Sequence, residues 1–149
     1  MSYFTIKELT NSSTAKKLGI DNTPTPEIRV KLNTLISALD KIRERYGKPI
    51  KVTSGYRCPE LNRAVGGAVN PDGTPKSQHC KGEAADLVGE NKAETKKIFE
   101  IAKEIGNYDQ LLFETNKAGS VWVHISYKAS GNRKIINENF RAWKNKLSF

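Results

Sequence analysis

The feature that most constrains this chain is "NTPTPEIRVKLNTLISALDKIRERYGKP". Ile28, Leu32, Leu35, Leu39, Ile42 and Tyr46 recur at spacings of three and four, which draws one apolar stripe along a helix. Thr25 can cap that helix, Pro26 suits its first position, and Gly47-Lys48-Pro49 ends it. A stripe of this width must be buried against something, so the rest of the chain has to supply a layer for it to cover.

That layer reads as a sheet. "PIKVTSGYR" is a short strand running into a glycine turn, "EAADLV" a buried strand, and "DQLLFE" and "SVWVHIS" are strands joined by "TNKAG". A second amphipathic helix, "NKAETKKIFEIAKEIG", has Asn91 as cap, Glu94 three residues on, and Gly106 as stop. From Cys58 to Ser77 the glycines and prolines of "CPELNRAVGGAVNPDGTPKS" predict a loop. Residues 1–22 read as a polar arm anchored by Tyr3, Phe4, Ile6 and Leu9. "INENFRAWKNKL", within 128–149, reads as a closing helix with Ile136, Phe140, Trp143 and Leu147 inward. The expectation is one α+β domain over 1–149, a small antiparallel sheet packed against helices on one side.

At 149 residues the chain can bury about two-thirds of its unfolded surface without disulfide staples. Its two cysteines, Cys58 and Cys80, are too few for a disulfide framework. They read as two thiols near a common pocket, with a Cys58–Cys80 bridge as the alternative. The formal charge of +9 favours polyanions, nucleic acid and bacterial cell wall among them. The Lys and Arg residues are scattered, and there is no basic helix or RNP-type aromatic motif, so nucleic acid is not expected as a partner. No apolar run approaches the roughly 20 residues of a membrane span, and "MSYFTIKELTNSSTAKKLG" has no signal-peptide centre.

The chain has only two histidines. His79 lies in "SQHCKGEAAD" and His124 in "VWVHIS". Strand alternation puts Asp86 on one face of "EAADLV" with Ala84 and Val88, and puts His124 on one face of its strand with Trp122 and Ser126. A carboxylate among small apolar neighbours needs a partner, because desolvating it alone costs several kcal/mol. Two imidazoles and one carboxylate are a ligand set of catalytic zinc, with the fourth position open. Taken singly, each residue has a plainer role: a hydrogen-bonded strand histidine, or an aspartate paired with Arg or Lys.

The pattern Ser-x-His-x-x-Gly-x-Ala-x-Asp, with "SGYRCPELN" before it and "WVHIS" after, resembles the zinc peptidases that cleave peptidoglycan peptides. These are the D-alanyl-D-alanine carboxypeptidases and the L-alanyl-D-glutamate endopeptidases used as phage endolysins. The likeness runs from about Lys51 to Tyr127, and it implies a hedgehog-type zinc peptidase fold. It also implies His79, Asp86 and His124 as ligands of one Zn2+ per chain, and Arg57 as the group that binds a substrate carboxylate. Ser77 would hydrogen-bond the loop or the substrate, and Trp122 would wall the cleft or pack as a core residue. The implied substrate is a peptidoglycan stem peptide, cut by a monomer that acts on the wall, as a phage or prophage lysin would.

The chain departs from the family at one position. Relatives carry an acid three residues before the last histidine, where this chain has Val121. Glu114 is the candidate general base, provided its strand pairs so as to bring it to the His124 face. Paired with Val121 it would point away; paired with Trp122 or Ser120, or shifted by a bulge, it would share that face. Asp109 faces the other way. A zinc-containing wall-binding domain without turnover is the alternative reading.

Overall fold

The computed structural model describes residues 2–145. It begins with two short helices, α1 (Ile6–Thr10) and α2 (Ser13–Leu18), followed by the long α3 (Pro26–Tyr46). The chain then runs through β1 (Lys51–Ser54), α4 (Pro59–Ala64), a 3-10 turn (Gln78–Lys81), β2 (Ala84–Val88) and α5 (Lys92–Ile105). It ends in β3 (Gln110–Thr115), β4 (Val121–Ser126), β5 (Ile135–Arg141) and α6 (Ala142–Asn145).

The two expected long helices form between their expected caps. Thr25 Oγ1 accepts from the Ile28 amide at 3.2 Å, and Gly47 closes α3 in the left-handed region at φ 78°. Asn91 Oδ1 caps α5 through the Glu94 amide at 2.9 Å, and Gly106 ends it. Leu32, Leu35, Leu39 and Ile42 of the α3 stripe are buried, while Ile28 and Tyr46 at its ends are partly so. They meet Ile98, Phe99 and Ala102 of α5 and the inner face of the sheet, formed by Ala85, Leu87, Leu111, Val123 and Ile125. Each Leu, Ile, Val or Phe among these contributes roughly 1.5–3 kcal/mol on leaving water. With one sheet face committed to this core, the polar residues that alternate with it must stand on the other.

The five strands lie in the order β1-β2-β4-β3-β5. All neighbours are antiparallel except β3 and β5, which run parallel. The fold is thus α+β as expected, with a mostly antiparallel sheet.

The C-terminal expectation is corrected. "INENFR" is strand, not helix, and pairs Gln110↔Ile135, Leu112↔Asn137 and Glu114↔Phe140; among the described residues of the segment, only Ala142–Asn145 is helical. Phe140 is buried, whereas Ile136 and Trp143 are exposed, and Leu147 lies outside the described residues. Two β-branched isoleucines and two asparagines are poor helix formers, and the open edge of β3 offers the segment a complete ladder. The apolar spacing alone carried the wrong period.

The N-terminal arm is more ordered than its polarity indicates. Phe4 and Leu9 are buried, and the Leu9 carbonyl accepts from the Tyr56 amide at 2.6 Å, tying α1 to the end of β1. A Cβ on Gly55 would run into that same carbonyl. Within the expected loop, Pro59–Ala64 winds into α4, capped by Cys58 Sγ. No described helix is long and apolar enough to cross a membrane.

Candidate active site

Asp86 of β2 and His124 of β4 are direct cross-strand partners, so their side chains rise from the same face, opposite the one packed on α3 and α5. Asp86 Oδ1 lies 3.0 Å from His124 Nδ1. His79 arrives from the 3-10 turn. Ser77 Oγ caps that turn by accepting from the His79 amide at 3.2 Å, and Gly82, at φ 72°, reverses the chain into β2. A Cβ on Gly82 would press against Ile28 of α3, so glycine is required for space as well as conformation. The reversal brings His79 Nε2 to 3.5 Å from Asp86 Oδ1.

His79 Nδ1 stands 2.7 Å from the Gly55 carbonyl oxygen. A carbonyl only accepts, so Nδ1 carries a hydrogen and Nε2 is the ring nitrogen left facing Asp86. One ligand atom from each of His79, Asp86 and His124 can be chosen so that all lie within 4.8 Å of one another. The histidines are 2% and 1% exposed. Two imidazoles and a carboxylate, one imidazole already oriented by an outer carbonyl, fit a zinc ion with an open fourth position. They do not fit calcium, which takes six or more oxygens. Cys58 and Cys80 are free thiols, and neither belongs to the cluster.

The register of β3 on β4 pairs Glu114 with Trp122. Glu114 therefore shares the face of His124, and its Oε2 is 3.8 Å from His124 Nδ1. Burial raises the Glu114 carboxyl to about 7, against the pull of His124. Asp86 behaves oppositely. Burial alone would raise it, but His79 and His124 outweigh that and hold it well below the usual carboxylate range. Two carboxylates on one face are thus separated in proton affinity by their neighbours.

Arg57 follows the β1 turn. Its amide donates to the His79 carbonyl at 3.2 Å, and Nη2 donates to Ser77 Oγ at 3.1 Å. Its Nε is buried with no partner among the described residues. Burial lowers its pKa, opposed by Asp86; a guanidinium stays cationic under such a shift. Arg57, Ser77, His79, Asp86, Glu114, Trp122 and His124 all line one cleft of about 290 Å3. Asp109 is elsewhere, bound by Arg133 at 2.7 Å and Gln78 at 3.1 Å.

Three contributors escaped the sequence reading. The Gly55 carbonyl lay inside the quoted "SGYR", but backbone roles leave no mark on residue type. The Val65–Ala68 segment walls the cleft from the expected loop. Phe140 and Ala142 wall it from the C-terminal segment; the isoleucine pair opening "IINENF" was the available signal that this segment is strand.

Residues 2–126 match the family model described as Peptidase M15. No curated protein matches the chain.

Proposed function

The chain belongs to the Peptidase M15 family and is a zinc metallopeptidase, and from that premise we propose that it hydrolyses peptide bonds in the stem peptides of peptidoglycan. The bond cut is the D-Ala-D-Ala bond in a carboxypeptidase mode or the L-Ala-D-Glu bond in an endopeptidase mode. Both present a carboxylate near the scissile bond.

His79, Asp86 and His124 hold the ion in this reading. A zinc ion held there would polarise the scissile carbonyl and make water a nucleophile near neutral pH. Glu114 would accept a proton from the attacking water and pass it to the leaving amine. A carboxyl near 7 exchanges protons in both directions at neutral pH, which is what this double duty requires. Arg57 presents its guanidinium to the substrate carboxylate, where a planar two-pronged donor fits best. Ser77 fixes Arg57 and retains its own hydroxyl hydrogen for the substrate. Trp122 limits solvent beside Glu114 in the same cleft.

The observation that carries this reading is the placement of the raised Glu114 carboxyl 3.8 Å from His124, beside a cluster able to hold a metal. It supports turnover over a purely wall-binding role, because it supplies the proton acceptor that Val121 cannot. The test is mass spectrometry of muropeptides after digestion of purified peptidoglycan from several bacteria. New amino termini in the stem peptide are expected, and their position identifies the bond. Intact muropeptides from every wall type, with zinc bound, would favour the binder.

A further inference from the structure

On the same sheet face, past the 3-10 turn, lies a separate pocket of about 340 Å3. Gln110 pairs with Ser126 and Leu112 with His124. Gln110 therefore stands on the His124 face, about 7 Å farther along β3. We propose that this pocket, walled by Lys76, Gln78, Lys81, Glu83, Gln110, Lys128 and Arg133, is a second binding site for a carboxylate with an amide N–H beside it, the chemistry of an acidic peptide end.

Two buried amides argue for a ligand here. Gln110 is 4% exposed, and its Oε1 has no hydrogen-bond partner among the described residues. Gln78 is 8% exposed and its orientation is fixed: Nε2 donates to the Asp109 carboxylate at 3.1 Å, and a carboxylate held ionised can only accept. Gln78 Oε1 is left buried without a partner. Two unpaired buried acceptors at one pocket call for a molecule that brings donors.

The charges call for an anion on that molecule. The four cations outnumber the carboxylates of Glu83 and Asp109 beside them. Arg133 and Lys128 lie against Asp109 at 2.7 and 3.6 Å, and Glu83 faces Lys31 at 3.7 Å. Lys76 and Lys81, both exposed, make no ion pair among the described residues and are open to a ligand. An anion at the mouth with an N–H donor behind it satisfies lysines and amide carbonyls together. An anion with a donor follows from the pocket alone; the choice of a peptide carboxylate rests on the peptidase reading above.

The test is an NMR titration of zinc-loaded protein with N-acetyl-D-glutamate, following the side-chain amide signals of Gln78 and Gln110. Saturable shifts are expected, weakened about tenfold in the Lys76→Ala/Lys81→Ala double variant. Both lysines are exposed, so folding is not at issue. Acetate, which lacks the donor, should bind about tenfold more weakly, and Arg57→Ala should bind as wild type. Shifts that vanish in Arg57→Ala but persist in the lysine variant would place the contact in the metal cleft and overturn the proposal, as would no saturation at all. Tighter binding of glycerol phosphate would overturn the peptide assignment. Because the readout is binding, a protein without any turnover can still pass it, which separates this failure from that of the peptidase reading.

Discussion

Glu114 is the cross-strand partner of Trp122, and this pairing places its carboxylate 3.8 Å from His124 Nδ1. A slip of one residue would have turned Glu114 into the hydrophobic core. Glu114→Gln keeps shape and removes the proton acceptor. Peptide hydrolysis should fall by roughly 10²- to 10⁴-fold with zinc content unchanged, measured by muropeptide release and metal analysis on the same sample. Full turnover in that variant would remove Glu114 from the reaction.

His79→Ala, Asp86→Ala and His124→Ala should each lose both metal and activity, since two remaining ligands do not complete a zinc site. The Cys58→Ser/Cys80→Ser variant should retain the ion, because neither thiol lies in the cluster. Atomic absorption of dialysed proteins distinguishes these, and zinc lost with the cysteines would show a different coordination.

Arg57→Ala should bind zinc normally yet lower kcat/KM by roughly ten- to a hundredfold, the worth of a charged hydrogen bond to substrate. Arg57→Lys should recover only part of this, because the ammonium lacks the planar fork. Steady-state kinetics on a defined stem peptide reads both. Wild-type kinetics in Arg57→Ala would assign the carboxylate to another group.

The metal-free protein should show two opposing pH effects. Glu114 titrates at about 7 when folded and near 4.5 when unfolded. Across that window the folded state holds a proton the unfolded chain has released, so stability falls as pH rises through about 7. Asp109 is the reverse. Burial opposes its charge, but hydrogen bonds from Arg133 outweigh this and hold it well below the usual carboxylate range. Its contribution is present above its unfolded value of about 3.8 and is lost as pH falls toward the folded one. Thermal melts should show Glu114→Gln flattening the slope from pH 4.5 to 7. Asp109→Asn should be most destabilised at neutral pH and less so toward acid. A wild-type slope in Glu114→Gln would mean another group titrates there.

Much of this molecule is local in origin and therefore visible in the sequence. The α3 and α5 stripes, their caps at Thr25 and Asn91, and the strand alternation that sets Asp86 and His124 opposite the core depend on residues a few positions apart. So does the turn at Gly82 that folds His79 back toward Asp86. Three decisions needed partners distant along the chain. The register of β3 on β4 chose the face of Glu114, the open edge of β3 drew "INENFR" into a parallel strand, and the Gly55 carbonyl oriented His79. Hydrophobic period and capping are properties of one segment, whereas register, edge pairing and backbone hydrogen bonds are properties of two. Only the assembled sheet holds both members of such a pair.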